Sequence, residues 1–507
     1  MGWCPCVAAL LHNVGMYEDS RPDAINLTVL RLQETCPASD GPGTALPRAT
    51  LDRWIAVADA CVSWHNGTEL DEIVRNQFVA FDPVQRDICS SLLRSYTNLM
   101  SDYRQRVVSL EREWINLPHP DPERNAAVSA AYQMTLEGDA GPELIKIRTG
   151  RNGSRPEEVA VLVSGKDPED SIVEVMLQAG TVETLEMPPE EQESTLRRIF
   201  DFWEETRSDS WQPATRSPGF ACYTMCNRPA RCGQYPTDGR TIGSYTRTIR
   251  MSKTSVLDLP VCNRKVAWKA VHQIPTDEAD EYDEARERGR DFHELYAAAL
   301  TAPDPTSTFN KLLQGIPDDR RKSLGYLWDR HLAVESKHEL PISYKETEYA
   351  VGLTVETKGL AVQGSEVATD RPVAVVYIAR TDAVGRESDG TPAVVEVRTG
   401  AAMREPSRPE LDIYALGTSR LVQSDRVAIH LHRLGLPEGP ECHREIYEAD
   451  QLHEAAERLE ETASLVASWD PHDALQPSFT VGSWCSDCTY QSRCENYRAD
   501  GTGPPAF

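Results

Sequence analysis

Apolar residues recur at helical spacing in YDEARERGRDFHELYAAAL (282–300), where positions three and four apart share a face. Downstream the period changes. KETEYAVGLTVET (345–357), RPVAVVYIARTDAVG (371–385) and TPAVVEVRTG (391–400) are rich in β-branched residues and predict strands. SDGT (388–391) lies between the last two and predicts a tight hairpin turn. RPELDIYALGTSRL (408–421) predicts the helix that follows, DRVAIHLHRLG (425–435) a further strand, and HEAAERLEETASLVASW (453–469) a long amphipathic helix. Helix, hairpin, helix, strand is an α/β pattern with a mixed sheet.

The pattern occurs twice. ELIKIRTGRNGSRPEEVAVLV (143–163) resembles AVVEVRTGAAMREPSRPELDIYAL (393–416), and VSLEREWINL (108–117) resembles SYKETEYAVG (343–352). A chain of 507 residues exceeds one ordinary core. Two tandem modules are therefore expected, at about 20–240 and about 250–500. The polar, glycine-bearing stretch TDGRTIGSYTRTIRMSK (237–253) is expected to be the linker.

Composition adds a constraint on environment. Net charge is −26, and 10 of the 53 basic residues are lysine. Acids spread along the whole chain suit a very salty cytoplasm, with a mesophilic protein bearing an acidic interaction surface as the alternative. Bulk charge argues against nonspecific nucleic-acid binding but leaves room for a local basic channel. No segment reaches the ~18 apolar residues of a membrane helix. The apolar start MGWCPCVAALLHNVG lacks a basic beginning and a clear cleavage site, so it reads as mature chain and implies a cytoplasmic location.

Thirteen cysteines in such a chain are unlike a disulfide framework. Cys485-x2-Cys488-x5-Cys494 stands near the C-terminus with Cys262 far upstream, and Cys222-x3-Cys226-x5-Cys232 stands earlier with Cys36 upstream. A close triple plus a remote fourth thiolate suits an iron–sulfur cluster better than zinc, which more often takes two short pairs. One or two [4Fe–4S] clusters are expected, each stapling the start of a module to its tail. Cys4, Cys6, Cys61, Cys89 and Cys442 fall outside both sets and read as incidental or buried free thiols.

Cys262 followed by NRK, His293 in RGRDFHELY, Glu348 in KETEY, Asp382 in IARTDAVG, Glu396 in VVEVRTG, Tyr414 in ELDIY and the terminal triple resemble, in order and spacing, the RecB-type branch of the PD-(D/E)XK nucleases. That branch includes iron–sulfur exonucleases of CRISPR adaptation and AddB-like proteins. The resemblance covers about half the chain directly and nearly all of it through the repeat. It implies two restriction-endonuclease-like modules, each a mixed sheet flanked by helices. It also implies Mg²⁺ or Mn²⁺ held by His293, Asp382, Glu396 and the Val397 carbonyl. The family's lysine two residues beyond the glutamate is here Arg398, and its helix glutamine is Glu410. Arginine keeps the charge but not the compact ammonium. Asp382, Glu396, Arg398, Glu410 and Tyr414 are the candidate catalytic set.

Module one departs further. Lys146 stands where Glu396 does, Arg148 where Arg398 does and Val161 where Tyr414 does, and AAYQMTLEG has no aspartate in place of Asp382. A pseudonuclease is expected there. The chain as a whole reads as a metal-dependent DNA nuclease, exonuclease-like in kind, acting in repair, recombination or CRISPR adaptation on single-stranded DNA or DNA with ends. Helicase motifs are absent, so unwinding would come from a partner. The alternative is a noncatalytic iron–sulfur DNA-binding or scaffold protein; flavin, nicotinamide and phosphate-loop motifs for a redox protein are absent.

Overall fold

The chain divides into two compact units, Met1–Asn227 and Arg228–Phe507. The computed structural model describes residues 24–25, 48–121, 127–150, 153–154, 156–207, 247–276, 284–338, 340–363, 366–400, 408–486 and 488–496. Both units are mixed α/β.

Unit 1 runs β1 (Ala24–Ile25), α1 (Arg48–His65), α2 (Leu70–Gln77), α3 (Pro83–Leu99), β2 (Val107–Ser109), β3 (Glu113–Pro118), β4 (Ala127–Tyr132), β5 (Met134–Glu137), β6 (Pro142–Arg148), α4 (Pro156–Gly165), β7 (Ser171–Met176), β8 (Thr181–Thr184) and α5 (Pro189–Arg207). Asp82 caps α3, accepting from the Val84 and Gln85 amides at 2.9 and 3.0 Å with Pro83 as the first helical residue. One sheet has the order β1-β4-β3 and the other β2-β5-β6-β7-β8. In the larger sheet β5 and β6 are antiparallel, β6 and β7 parallel across the α4 crossover, and β7 and β8 antiparallel. Val161 and Leu162 of α4 pack with Leu144, Ile172, Ile199 and Phe200 in its core.

Unit 2 runs β9 (Arg247–Ser252), α6 (Lys253–Asp258), α7 (Asn263–Ala270), α8 (Glu284–Leu300), α9 (Pro305–Leu313), α10 (Asp318–Glu335), β10 (Ile342–Gln363), β11 (Glu366–Glu387), β12 (Pro392–Arg398), α11 (Arg408–Val422), β13 (Val427–Arg433), β14 (Glu441–Tyr447), α12 (Ala449–Ala467) and α13 (Gln491–Asn496). Its sheet has the order β10-β11-β12-β13-β14, with β9 added in parallel to β11. Here too antiparallel, parallel and antiparallel pairings follow one another from β11 to β14, and α11 makes the parallel crossover. Alternation along β12 and β13 feeds two cores. Val394, Val427 and Ile429 face α11 and α12, whereas Val395, Val397 and Leu434 face α8, α9 and α10. The turn expected at 388–391 forms, with Gly390 at φ +89° and the Glu387 amide donating to the Thr391 carbonyl at 2.9 Å.

The linker reading of 237–253 is corrected in its second half; residues 237–246 lie outside the described residues. Residues 247–252 are a strand of the central sheet, because Ile249 and Met251 alternate into the core. Arg247 secures its start by donating to the Leu360 and Trp469 carbonyls at 2.8 and 2.9 Å. Thr248, Arg250 and Ser252 alternate with Ile249 and Met251 on the other face of this strand.

Helix α11 lies against β10 at a distance only glycine permits. A Cβ on Gly417 would stand 2.8 Å from the Gly352 carbonyl oxygen, backbone against backbone. Helix propensity favours alanine over glycine by about 1 kcal/mol, but overpacking costs about 1–3 kcal/mol and neither backbone has a flexible end to move. Gly417→Ala is therefore expected to destabilise unit 2, by up to about 2 kcal/mol, in urea titration; a stabilised variant would show that the helix does not pack this closely.

Candidate metal centre and active site

The hairpin, β12 and the starts of α6 and α11 bring their polar residues to one pocket of about 660 Å³. Two clusters meet there. In the first, His293 Nδ1 of α8 lies 2.8 Å from Asp382 Oδ1 of β11. The other oxygen of Asp382 accepts from the Val397 amide at 2.5 Å. Glu348 of β10 completes a set whose ligand atoms lie within 4.8 Å of one another. Glu348 holds a left-handed φ of +54°, a conformation that costs a non-glycine residue energy and concentrates at functional sites. It is also ion-paired with Arg380.

The second cluster surrounds Glu396. Lys253 Nζ contacts Glu396 Oε1 at 2.6 Å, and the Tyr414 hydroxyl donates to Glu396 Oε2 at 2.8 Å. Lys253 also donates to the Tyr414 oxygen at 2.8 Å and lies 3.4 Å from Glu410. Arg398 donates to Glu410 and stands 3.3 Å from Glu396. Ser252 positions the lysine: it ends β9 and caps α6 by accepting from the Ser255 amide at 3.2 Å, making Lys253 the first helical residue.

Burial and charge compete over each group. Burial pulls the Lys253 pKa down, yet Glu396 and Glu410 outweigh it and hold it above the usual lysine range. Burial also pulls His293 down, and the Asp382 carboxylate more than compensates. Asp382 is the converse: burial raises its pKa, while His293 and the Val397 amide bring the net shift below the ordinary aspartate value. Lys253 is thus a fixed ammonium at neutral pH, and Asp382 a carboxylate ready for a cation.

Of the residues proposed from sequence, His293, Asp382, Glu396, Arg398, Glu410 and Tyr414 reach this pocket or its wall, and Val397 enters through its amide. Two contributors escaped the sequence reading. Lys253 was assigned to the linker, and Glu348 was matched to the motif without a role. Oxygen donors with one imidazole fit Mg²⁺ or Mn²⁺. His293, Asp382 and Glu348 fit such an ion most directly, whereas Glu396 is already engaged by Lys253, Arg398 and Tyr414.

Cys262, Cys485, Cys488 and Cys494 of unit 2 form a separate group. Arg264 of α7 donates to the Pro477 and Leu475 carbonyls at 3.0 and 2.8 Å, and Trp268 donates to the Ala474 carbonyl at 2.7 Å. This lacing carries Cys262, at the head of α7, to the terminal triple. Burial raises the Cys494 thiol; Arg264 opposes that shift, and Cys262, Cys488 and Cys485 add to it, so the four feel one another. Cys36, Cys222, Cys226 and Cys232, like Cys4 and Cys6, lie outside the described residues.

In unit 1 the equivalent sheet position is filled differently. Gln133 Oε1 accepts from the Ile147 amide at 2.7 Å, much as Asp382 does from Val397. Lys146 is fully buried, donating to the Ala131 carbonyl at 3.0 Å and paired with Glu158. An ammonium stands where a cation would have to enter.

Residues 250–495 match the family described as the PD-(D/E)XK nuclease superfamily. A restriction-endonuclease-like module thus fits unit 2, and the superfamily's use of divalent cations such as Mg²⁺ or Mn²⁺ agrees with the pocket. Among solved structures, the crystal structure of SSO0001 is similar at 12% identity, over 50% of this chain and 88% of that one, with a TM-score of 0.21. No curated protein matches the chain. Among the described residues no helix is long and apolar enough to cross a membrane.

If Glu348 is a ligand, Glu348→Gln should weaken Mn²⁺ binding by about 10-fold or more in calorimetric titration, because it removes a charged oxygen from the set. Unchanged affinity would leave His293 and Asp382 to bind with Glu396 instead.

Proposed function

We propose that unit 2 is a metal-dependent DNA nuclease, exonuclease-like, acting on single-stranded DNA or DNA with ends in repair, recombination or CRISPR adaptation, with a helicase partner supplying unwinding. The observation that carries this reading is the convergence of His293, Asp382 and Glu348 on one side of a pocket whose other side presents the Lys253 ammonium over Glu396. Arg290 and Arg380 also line that pocket. In a chain of net charge −26, they give a phosphodiester backbone a local site.

A divalent ion held by His293, Asp382 and Glu348 would supply Lewis-acid neutralisation of the scissile phosphate and an activated water. The chain's own groups do the rest. Asp382 orients His293 and is itself oriented by the Val397 amide. Tyr414 fixes the Glu396 carboxylate, and Lys253, protonated at neutral pH, places positive charge beside it. Arg398, drawn aside to Glu410, is left a supporting role.

We propose one [4Fe–4S] cluster on Cys262, Cys485, Cys488 and Cys494, and a second on Cys36, Cys222, Cys226 and Cys232. Unit 1, with matching strand pairings but Gln133 and Lys146 in the site, is proposed as a degenerate copy.

The test is cleavage of end-labelled single- and double-stranded DNA with Mn²⁺ or Mg²⁺ in high-salt buffer. Asp382→Ala should abolish cleavage. Lys253→Met should slow it by about 10²-fold, the scale of one lost electrostatic stabiliser, and Arg398→Lys should change it only slightly. A wild type inert with both metals, yet binding DNA, would favour the scaffold reading. For the cluster, anaerobically purified protein should be brown and lose the colour with Cys485→Ala if only that site is filled; stoichiometric zinc without visible absorption would contradict it.

A further inference from the structure

On the α10 face of the unit 2 sheet, away from Glu396, lies a second group of ligands. His430 and His432 project from β13 on either side of Leu431, His338 follows the end of α10, and Cys442 comes from β14. One ligand atom from each of the four lies within 4.8 Å of the others. His430 and His432 are buried at 1% and 0% side-chain exposure, and His338 at 3%.

These rings are oddly unserved. Neither nitrogen of His338 or of His432 has a hydrogen-bond partner among the described residues. A buried polar atom without a partner costs about 1–3 kcal/mol, so four such nitrogens in one place ask for a shared partner. His430 is the exception, and it is informative. Its Nε2 meets Glu387 at 2.7 Å, while its Nδ1 faces the Cys442 sulfur at 3.8 Å. Glu387 is in turn clamped by Arg444 through bonds of 2.6 and 2.7 Å. A carboxylate on the outer nitrogen of an inward-pointing histidine is the arrangement that orients metal-binding imidazoles. Glu335 lies 3.9 Å from His338 Nδ1 and 3.8 Å from His432 Nδ1, placed to accept from ring nitrogens an ion leaves free.

We infer that His338, His430, His432 and Cys442 form a structural zinc site. Three imidazoles and one thiolate give the closed four-coordinate set that zinc favours in structural sites. Neutral imidazoles and a thiolate are the ligating forms, so the Cys442 thiol gives up its proton to solvent as the ion binds, leaving a site of net charge +1 beside Glu335. The ion ties the end of α10 to β13 and β14, and so braces the strand that pairs with β12 beside Glu396.

The test is ¹¹³Cd NMR of the full chain loaded with ¹¹³Cd²⁺. The expected spectrum contains a resonance of a three-nitrogen, one-sulfur site, well upfield of any four-thiolate signal from the terminal cysteines. That resonance should vanish in His338→Asn, whose circular dichroism is expected to match wild type since the residue lies outside α10. Wild-type protein that shows no such resonance overturns the assignment without any variant, as does a resonance that persists unchanged in folded His338→Asn.

Discussion

Buried carboxylates are the constraint around which unit 2 is organised. Asp382, Glu396 and Glu410 are all at most 9% exposed, and an isolated buried charge is costly unless paired and hydrogen-bonded. Every neighbouring element contributes to that pairing: α8 brings His293, α6 brings Lys253, β12 brings Arg398 and the Val397 amide, and α11 brings Tyr414. These contacts pair all three acids, and at Asp382 they hold the carboxyl below the ordinary aspartate range, the state a divalent cation needs to find. Another buried acid, Asp412, shows a purely structural form of the same solution. It is closed off by Arg458 at 2.8 Å and Tyr447 at 3.1 Å.

Unit 1 meets its buried charges from within. Its sheet repeats the antiparallel, parallel, antiparallel pairing, and Gln133 reproduces the side-chain contact to the neighbouring strand's amide. Lys146 is paired with Glu158, and Arg148 lies 3.8 Å from Glu174. These two carboxylates are thus paired with the chain's own cations.

How much of this was legible in the sequence follows from the range of the signal. The strands and helices of unit 2 were readable because β-branched runs and helical periodicity are local, as in PAVVEVR of β12 and the α8 helix carrying His293. Asp382, Glu396 and Tyr414 were readable because their spacing along successive elements matches a known motif. Lys253 was not, since it reaches Glu396 across 143 residues and its own segment looks like a polar joint. The alternation of Ile249 and Met251 was the available clue to β9. Gln133 and the histidines of β13 were invisible for a related reason: their roles depend on register, Ile145 opposite Met134 in one unit and His432 opposite Cys442 in the other, which no local pattern specifies.

The central claim is that the pocket of unit 2, and not the corresponding position of unit 1, is built to hold a divalent cation. Anomalous diffraction from crystals soaked in Mn²⁺ tests it directly, since the ion's position is read without assuming any activity. The account predicts a peak within coordination distance of His293, Glu348 and Asp382, and none beside Gln133 and Lys146. A peak in unit 1, or ordered Mn²⁺ elsewhere with that pocket empty, would contradict it.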